Sequence, residues 1–510
     1  MNDVTDRQDD VLAFLANPAS HGGRDVKRID THAASVFLAG DRALKIKRAV
    51  RFPFLDYSTL DKRKAACEAE LAVNAPYAPE IYRRVVAITR QANGTLAISG
   101  DGPPVEWAVE MRRFDEHRTL DNLAGDIDEA LADALGHAVA AAHARAKPVD
   151  AESWIAAVGS YVDQHAGAFR QYPDIFDRVE IDGFARAEQA AYEHIVPLLR
   201  ARARRGLVRR IHGDLHLGNI VLIDGKPVLF DAIEFSDIIA SGDVLYDLAF
   251  LLMDLCERGL AQAANLVFNR YLTEAHKADD LDGLAALPFF LAMRAAIRAV
   301  VTVARMERAA AADRIAIAAS ARAYFAFARR AIAPPKPAFI AVGGLSGTGK
   351  TRLARDLAPL IGPLPGAVIV RSDVERKALF GAGETERLPE QAYTASVNER
   401  VYALLADRAG RVLTAGHAVI VDAVFAQPNE RAALAATAKA AGIPLQGFFL
   451  TAGLQARLAR VGTRRGDASD ATADVARSQE SYDLGRLDWR QIDASGRPEE
   501  TAARARAALD

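Results

Sequence analysis

Cysteine and long apolar runs are both scarce in this chain. Its 510 residues include only two cysteines, Cys67 and Cys256, which argues against structural disulfides and cysteine-based zinc sites and favours a reducing cytoplasm. The most apolar stretch, 287–303, is interrupted by Arg294 and Arg298, so we do not expect a membrane span. The first ten residues, MNDVTDRQDD, lack the basic start and apolar core of a secretory signal, which agrees with a cytoplasmic location.

An excess of charge of one sign is absent as well. The 64 Lys and Arg residues nearly balance the 66 Asp and Glu residues, which leaves a formal net charge of −2. Binding to a nucleic-acid duplex through bulk electrostatics is therefore not expected. Half of the residues are hydrophobic and a quarter are charged, as in ordinary globular proteins, and the length predicts two or three domains.

A proline cluster divides the chain near its middle. Residues 333–337 read APPKP, which cannot continue a helix and favours an extended spacer. We therefore predict a first domain over 1–332, a linker over 333–337 and a second domain over 338–510.

The second domain begins with a phosphate-binding motif. Residues 343–351 read GGLSGTGKT, which fits G-x-x-x-x-G-K-T, and an apolar strand pattern precedes the motif while a helical pattern follows it. In such a loop the backbone amides surround phosphate oxygens, the lysine reaches the β and γ phosphates, and the threonine holds Mg²⁺. The predicted ATP-binding residues are Gly344, Ser346, Gly347, Thr348, Gly349, Lys350 and Thr351, the last of them also a metal ligand.

A second, unrelated signature lies at 211–235, which reads IHGDLHLGNIVLIDGKPVLFDAIEF. Asp214 and Asn219 have the five-residue spacing of a kinase catalytic loop, and an apolar hairpin then leads to Asp231. A carboxylate can orient an acceptor hydroxyl and take its proton, which suits Asp214. Mg²⁺ prefers hard oxygen ligands, which suits Asn219 and Asp231.

The residues before this signature predict a strand-rich lobe followed by helices. Strands are expected at 34–38 and 43–47 around a Gly40-Asp41 turn, a helix at 61–73, and further strands at 81–89, 96–99 and 106–112. Helices dominate from about 115 to 200. This order is typical of a two-lobed kinase.

Residues 30 to about 330 therefore resemble the aminoglycoside phosphotransferase branch of the protein-kinase-like superfamily. The resemblance implies that Lys45 holds the α and β phosphates and that Glu70, or less favourably Glu68, is its helix partner. Lys47 points the same way along an extended strand, so either lysine fits this role. The strand 105–111, with Glu110 and Met111 at its end, would meet the adenine.

The chain departs from protein kinases in two places. No G-x-G-x-x-G occurs between the first strands, and only a short segment separates Asp231 from Asp247, where a protein kinase has its activation and peptide-docking region. This favours a small-molecule acceptor. Asp243 and Asp247 fit two interpretations equally, a brace for the catalytic loop or a cap of the helix near 244.

Strand-length apolar runs at 367–370, 418–421 and 447–450 alternate with helical segments in the second domain. They predict a parallel sheet covered on both faces, with ligands at the carboxyl ends of its strands. Asp373 and Asp422 follow two of these strands and would face the phosphate loop, where Asp422 supports the Mg²⁺ shell.

Two further elements resemble polynucleotide-kinase-like and gluconate-kinase-like enzymes. Asp373-Val-Glu-Arg376 resembles their D-x-x-R element, which implies that Asp373 activates the acceptor hydroxyl and Arg376 positions the acceptor; the alternative is a helix cap with a surface arginine. The segment 457–471 resembles their lid, which implies that Arg460 and Arg464 neutralise transition-state charge. Arg457 and Arg465 are the next candidates, and a solvated basic helix end is the alternative.

The whole order of motifs resembles bifunctional aminoglycoside phosphotransferase/ATP-binding proteins. It predicts an α+β, protein-kinase-like two-lobed domain followed by an α/β P-loop domain, each moving a γ-phosphoryl group from ATP with Mg²⁺ to a small-molecule hydroxyl. Arginines crowd 200–210 before the catalytic loop and fit a solvated surface helix end. If they border the site, they favour a neutral or anionic acceptor, so a sugar, nucleoside or related metabolite is predicted rather than an aminoglycoside. The alternative is a regulatory protein in which the P-loop domain hydrolyses ATP and gates the first domain. The sequence identifies neither the acceptor of each domain nor the oligomeric state.

Overall fold

The computed structural model describes residues 7–52, 55–307, 309–463 and 468–509. The chain forms two compact units, one of residues 1–160 and 199–251 and the other of residues 161–198 and 252–510. The second unit includes residues on both sides of the proline cluster, so compactness alone does not mark a boundary there. The domain limits at 332 and 338 stay a prediction.

An antiparallel six-stranded sheet forms the first part of unit one, in the order β1-β2-β3-β8-β6-β7. Its strands are β1 (Val26–Asp30), β2 (Ala34–Ala39), β3 (Arg42–Lys47), β6 (Tyr82–Arg90), β7 (Leu96–Ile98) and β8 (Pro104–Arg112), and a small hairpin of β4 (Arg51–Phe52) and β5 (Leu55–Asp56) lies between β3 and β6 in the sequence. The strand β1 was not predicted because its sequence, VKRID, is polar and largely exposed.

Helices cover both faces of this sheet. The helices α1 (Asp9–Ala16) and α2 (Leu60–Asn74) contribute to two different apolar clusters, α1 through Val11 and Leu15, and α2 through Cys67. Side chains alternate along a strand, so β3 presents Leu44 and Ile46 to the α1 cluster, whereas Ala43 belongs to the α2 cluster. The two lysines of β3 therefore extend toward α2.

The remainder of unit one contains the second signature. Three helices, α3 (Glu129–Arg145), α4 (Glu152–Arg170) and α5 (Arg178–Arg204), precede the strand β9 (Val208–Arg210), although the parts of α4 and α5 within 161–198 belong to unit two. The strands β10 (Ile220–Ile223) and β11 (Lys226–Leu229) form the predicted hairpin, turning at Asp224 and Gly225, both with positive φ. The strand β12 (Ser241–Asp243) pairs with β9, and the helix α6 (Val244–Glu257) follows at once.

Unit two includes helices that precede the proline cluster. They are α7 (Ala261–Ala275), α8 (Ala278–Asp282), α9 (Leu287–Ala304) and α10 (Ala311–Ile332), and α9 packs along α10. The segment 278–307 is long and apolar enough to cross a membrane by length and composition. Its most apolar window is 67% buried within the protein, however, as in a core helix.

The phosphate loop lies in a five-stranded, fully parallel sheet of order β14-β15-β13-β16-β17, which confirms the predicted α/β fold. Its strands are β13 (Phe339–Gly344), β14 (Val368–Arg371), β15 (Val419–Asp422), β16 (Leu445–Thr451) and β17 (Arg490–Asp493). The helices are α11 (Lys350–Leu357), α12 (Ser372–Leu379), α13 (Ala395–Thr414), α14 (Pro428–Ala441), α15 (Leu454–Thr463), α16 (Ala473–Ser478) and α17 (Pro498–Arg506). The strand β17 was missed because its sequence, RQID, is mostly polar and exposed.

Two asparagines of α7 pair with the edge strand β14. Asn269 accepts a hydrogen bond from the Ile369 amide at 2.7 Å and donates to the Ala367 carbonyl at 3.1 Å. Asn265 donates to the same carbonyl, also at 3.1 Å. Side-chain amides thus satisfy an edge whose free backbone groups would otherwise invite pairing with another chain.

We expect Asn269→Ala to lower the free energy of unfolding by about 2 kcal/mol, because it leaves the Ile369 amide without its acceptor in a partly buried site. Urea denaturation of the full chain measures this change. The exposed Gln262 on the same helix is the control, and Gln262→Ala should stay within about 0.5 kcal/mol of the parent protein. Equal stability of the two variants would contradict the pairing role.

Candidate active sites

The first site is centred on Asp214, in the loop between β9 and β10. The Asn219 side-chain amide donates to the Asp214 carbonyl at 2.9 Å and to its Oδ2 at 3.0 Å. His216 Nε2 lies 3.5 Å from the same Oδ2. Asp214 is half-buried, so its carboxylate is held in place while part of it stays accessible.

Asp247 supports this loop from below. Its carboxylate accepts hydrogen bonds from the backbone amides of His212 at 2.9 Å and Gly213 at 3.0 Å, and His143 Nε2 lies 3.1 Å away. Asp243 acts differently: it accepts from the Leu245 amide at 2.9 Å at the start of α6 and pairs with buried Arg202. Of the two interpretations, the brace therefore describes Asp247 and the cap describes Asp243.

The arginines before the loop are mostly structural. Arg202 is buried at 1% exposure and pairs with Asp243 at 2.6 Å, so a solvated surface position is wrong for it. Arg209 donates to the backbone carbonyl of His143 at 2.8 Å. Because these charges already have partners inside unit one, the crowding of arginines carries no argument about the charge of the acceptor.

A buried carboxylate joins the two lysines of β3. Lys45 Nζ lies 2.8 Å from Glu70 Oε1 and Lys47 Nζ lies 2.6 Å from Glu70 Oε2. Lys45 also contacts Asp231 Oδ1 at 2.6 Å, whereas Lys47 is more deeply buried and pairs with Glu234. Of the two lysines, Lys45 is thus the one that reaches a predicted metal ligand.

The alternative helix carboxylate, Glu68, is exposed and lies 3.8 Å from Lys64, one helical turn away. It makes no ion pair with either lysine of β3 in the described parts of the chain. Of the two candidates for the helix partner, the geometry therefore favours Glu70.

The charges around Glu70 stabilise one another. Burial by itself would raise the pKa of Glu70, but the ammonium groups of Lys45 and Lys47 outweigh it and lower this pKa to about 2. For Lys45, burial acts to lower the pKa, but the carboxylates of Asp231 and Glu70 prevail and raise it well above its usual value. All three groups are therefore charged near neutral pH.

The segment that carries Asp231 is tied to the same helix. Asp231 has a φ of 61°, which non-glycine residues rarely adopt, and its amide donates to the Tyr82 hydroxyl at 3.2 Å. Asn74, one turn after Glu70 on α2, accepts from the Ala232 amide at 2.7 Å and donates to its carbonyl at 3.1 Å. One helix thus positions both the lysine partner and the predicted metal ligand.

Glu110 and Met111 lie in β8 with strands on both sides. Met111 is opposite Ala43 of β3 and Tyr82 of β6, so its backbone faces neighbouring strands. The Glu110 carboxylate lies 2.9 Å from Arg42 and 2.8 Å from Arg84. A contact of these two residues with adenine stays a prediction.

The second site is built around the phosphate loop between β13 and α11. The loop needs glycine at 347, where φ is +85° and a Cβ atom would lie 2.6 Å from the Arg457 carbonyl oxygen. The helix α11 begins at Lys350, whose Nζ lies 3.4 Å from the Leu345 carbonyl. The Thr351 hydroxyl lies 2.5 Å from Asp422 Oδ2, at the carboxyl end of β15.

The predicted acceptor residues flank this loop. Burial raises the pKa of Asp373 above its usual value, while Arg371 and Lys350 act to lower it. Arg376 is only 7% exposed, donates to the Ala392 carbonyl at 2.7 Å and lies over the Tyr393 ring. The alternative of a surface arginine is therefore wrong.

One cavity of about 590 Å³ brings these groups together. The site residues in its lining are Ser346, Lys350, Thr351, Asp373, Arg376 and Asp422. The remaining lining includes Glu430, whose pKa is raised by burial, and Gln479, which the sequence motifs did not single out.

Two of the four candidate lid arginines lie in the part of the chain that the structure describes. Arg457 is 1% exposed beneath the loop, and Arg460 donates to the Gly496 carbonyl at 2.9 Å, with Gly347 O at 3.5 Å. Arg464 and Arg465 lie outside the described residues. The predicted neutralising role of Arg460 and Arg464 stays a prediction.

The second site suits a nucleotide and a divalent cation. The strained glycine loop at the N-terminus of α11 is a cradle for phosphate oxygens, and Thr351 with Asp422 offers hard ligands for Mg²⁺. No cluster of three or more His, Cys, Asp or Glu side chains that could hold a metal occurs in the described segments. Mg²⁺ in phosphotransferases is commonly bound by one or two protein ligands together with substrate phosphates, so this finding agrees with such a site.

Several solved structures are similar in fold to parts of this chain. A gluconokinase from Sinorhizobium meliloti 1021 is 20% identical with a TM-score of 0.26, covering 34% of this chain and 91% of that one. The GDP and kanamycin complex of APH(2")-IIIa is 15% identical with a TM-score of 0.36, covering 58% of this chain and 90% of that one.

Family and sequence comparisons cover most of the chain. Uncharacterized proteins of Mycobacterium tuberculosis and Mycobacterium bovis are each 29% identical over 502 residues, covering 93% of this chain and 94% of the relative. The model of the phosphotransferase enzyme family (APH) matches residues 33–287, half of the chain, and that of the AAA domain matches residues 339–483. The predicted resemblance is confirmed: this chain belongs to the phosphotransferase enzyme family and continues into a P-loop kinase-like domain.

Proposed function

We propose that the chain is a tandem ATP- and Mg²⁺-dependent phosphotransferase whose two sites each transfer a γ-phosphoryl group to a hydroxyl of a small molecule. The observation that carries this proposal is the shared cavity of Lys350, Thr351 and Asp373. A protein that only hydrolysed ATP would need the first two residues, whereas a half-buried carboxylate with a raised pKa beside them suits an acceptor hydroxyl.

The proposed chemistry is the same in both units. Asp214 in the first site and Asp373 in the second orient the acceptor hydroxyl and take its proton as its oxygen attacks the γ-phosphorus, and ADP leaves. Lys45 and Lys350 bind phosphate oxygens and offset their charge. Mg²⁺ would be held by Asn219 and Asp231 in the first unit, and by Thr351 with support from Asp422 in the second, where it neutralises charge on the transferred group.

Arg376 supports a more specific acceptor for the second site. It is buried, it lines the cavity, and its Nε makes no hydrogen bond with the described residues. It makes no ion pair with a described carboxylate either, so it is a desolvated cation that an anionic group would stabilise. We therefore propose an acceptor that carries an anionic group as well as the hydroxyl.

For the first site, the fold restricts only the size of the acceptor. After Asp231 the chain reaches β12 at Ser241 and α6 at Val244, so this segment is too short for the peptide-docking region of protein kinases. A small acceptor such as a sugar or nucleoside suits this arrangement.

The direct test is phosphorylation of a metabolite pool with γ-labelled ATP, after separation of the pool into anionic and non-anionic fractions. We expect Asp214→Asn and Lys350→Ala each to abolish a different labelled product, with the Lys350-dependent product arising from the anionic fraction. Loss of ATP hydrolysis without loss of any product in Lys350→Ala would favour the regulatory alternative. An undiminished product in Asp214→Asn would remove the first proposed site.

Replacement of the two lysines of β3 should separate catalysis from stability. Lys45→Met should lower kcat/KM at the first site by about 10²-fold or more, since Lys45 faces Asp231. It should destabilise the fold less than Lys47→Met does, because buried Glu70 keeps Lys47 as a partner and Asp231 is half-exposed. Lys47→Met should destabilise the fold by about 3 kcal/mol, since buried Glu234 loses its cation. Steady-state kinetics and urea denaturation of the two variants measure both effects. If Lys47→Met mainly lowered kcat/KM and Lys45→Met mainly destabilised the fold, Lys47 would be the phosphate-binding lysine.

The pH profile of the second site should report Asp373. A base must be ionised, so kcat/KM should fall as the pH drops through the raised pKa of this carboxyl, above the usual range of aspartate. Asp373→Asn should remove this acid limb and lower the rate by about 10²-fold to 10⁴-fold. The exposed Asp474 is the matched control, and Asp474→Asn should keep both rate and limb. If Asp373→Asn kept the acid limb of the pH profile, the proposed role of Asp373 as the base would be wrong.

A further inference from the structure

Gln479, which follows the predicted lid segment 457–471 in sequence, forms a hydrogen bond with the phosphate loop. The Ser346 backbone amide donates to Gln479 Oε1 at 2.7 Å, and both residues are more than nine-tenths buried. Gln479 lies in the short 3-10 turn that follows α16, more than a hundred residues from the loop in sequence. Backbone amides of such a loop bind phosphate, but the Ser346 amide donates to the Gln479 side chain instead.

The orientation of this side chain follows from its hydrogen bond. A backbone amide needs an acceptor, so the oxygen of the Gln479 carboxamide must face Ser346 and its NH₂ group must point elsewhere. Gln479 lines the same cavity as Lys350 and Asp373. Among the described residues, none accepts a hydrogen bond from Gln479 Nε2. The arrangement thus leaves a neutral donor at the edge of the phosphate-binding cavity.

Arg457 connects the phosphate loop to the segment that carries Gln479. Its guanidinium lies 3.4 Å from the Ser346 carbonyl and 3.4 Å from the Ala476 carbonyl, and it pairs with Glu480. One buried cation therefore holds the phosphate loop and the end of α16 together, on either side of Gln479. Because Arg457 is committed to these contacts, it is a positioning residue rather than a ligand of the phosphates.

We infer that Gln479 contacts the terminal phosphate of the nucleotide and distinguishes ATP from ADP at the P-loop site. Because the Ser346 amide is committed to Gln479 Oε1, the NH₂ group of Gln479 takes its place as a donor beside the phosphate loop, where it suits a phosphate oxygen. This inference rests on the proposed nucleotide site of the second unit. It does not require that the site phosphorylates an acceptor.

Calorimetric titration of the full chain tests this role, with Mg²⁺ present and with Lys45→Met included to weaken the first site. The ligands are a non-hydrolysable ATP analogue and ADP. Gln479→Ala should weaken the analogue about tenfold and leave ADP unchanged. Gln479→Glu keeps an acceptor for the Ser346 amide but replaces the donor by a negative oxygen, so it should weaken the analogue further than Gln479→Ala does.

The control variant is Gln455→Ala, an exposed glutamine on α15, which should bind both nucleotides like the parent protein. An equal loss of analogue and ADP binding in both Gln479 variants would overturn the inference and leave Gln479 a structural brace. Tighter analogue binding by Gln479→Ala would overturn it too, since Gln479 would then compete with phosphate for the Ser346 amide. The acceptor screen is independent of this result, so failure of acceptor transfer and failure of this inference are distinguishable.

Discussion

The first site depends on one buried carboxylate between two ammonium groups. Glu70 is fully buried, and a charge removed from water is stable in a protein only when it is paired. Lys45 and Lys47 meet this requirement from one strand, and α2 supplies the carboxylate. The same helix holds the backbone after Asp231 through Asn74, so the position of this predicted metal ligand is linked to that of Lys45, the predicted phosphate-binding lysine.

The second site relies mainly on backbone groups rather than on paired, buried side-chain charges. A loop with positive φ at glycine and the start of α11 direct amides toward phosphate, so fewer side-chain charges have to be buried. Side chains complete the site: Thr351 contacts Asp422, Asp373 lines the cavity, and Gln479 borders the loop. The buried Arg376, whose Nε has no hydrogen-bond partner among the described residues, is the basis for the proposed anionic acceptor.

Sequence reasoning is most specific where chemistry depends on fixed local spacing. The phosphate loop and the set of Asp214, Asn219 and Asp231 could be recognised because their neighbours in sequence are also their neighbours in space. It failed for β1 and β17, whose polar residues give no apolar alternation. Gln479 carries no motif at all, and only an amide donor more than a hundred residues away gives it a function.

The sequence by itself determined the family, the two fold classes and the identity of the phosphate-binding loop, because these depend on short-range pattern and on glycine geometry. The tertiary structure decided which of two lysines faces Asp231, that Asp247 rather than Asp243 supports the catalytic loop, and that Arg202, Arg376 and Arg457 are buried. The reason is that burial and ion pairing are properties of surfaces brought together from distant parts of the chain, and no local pattern of residues encodes them.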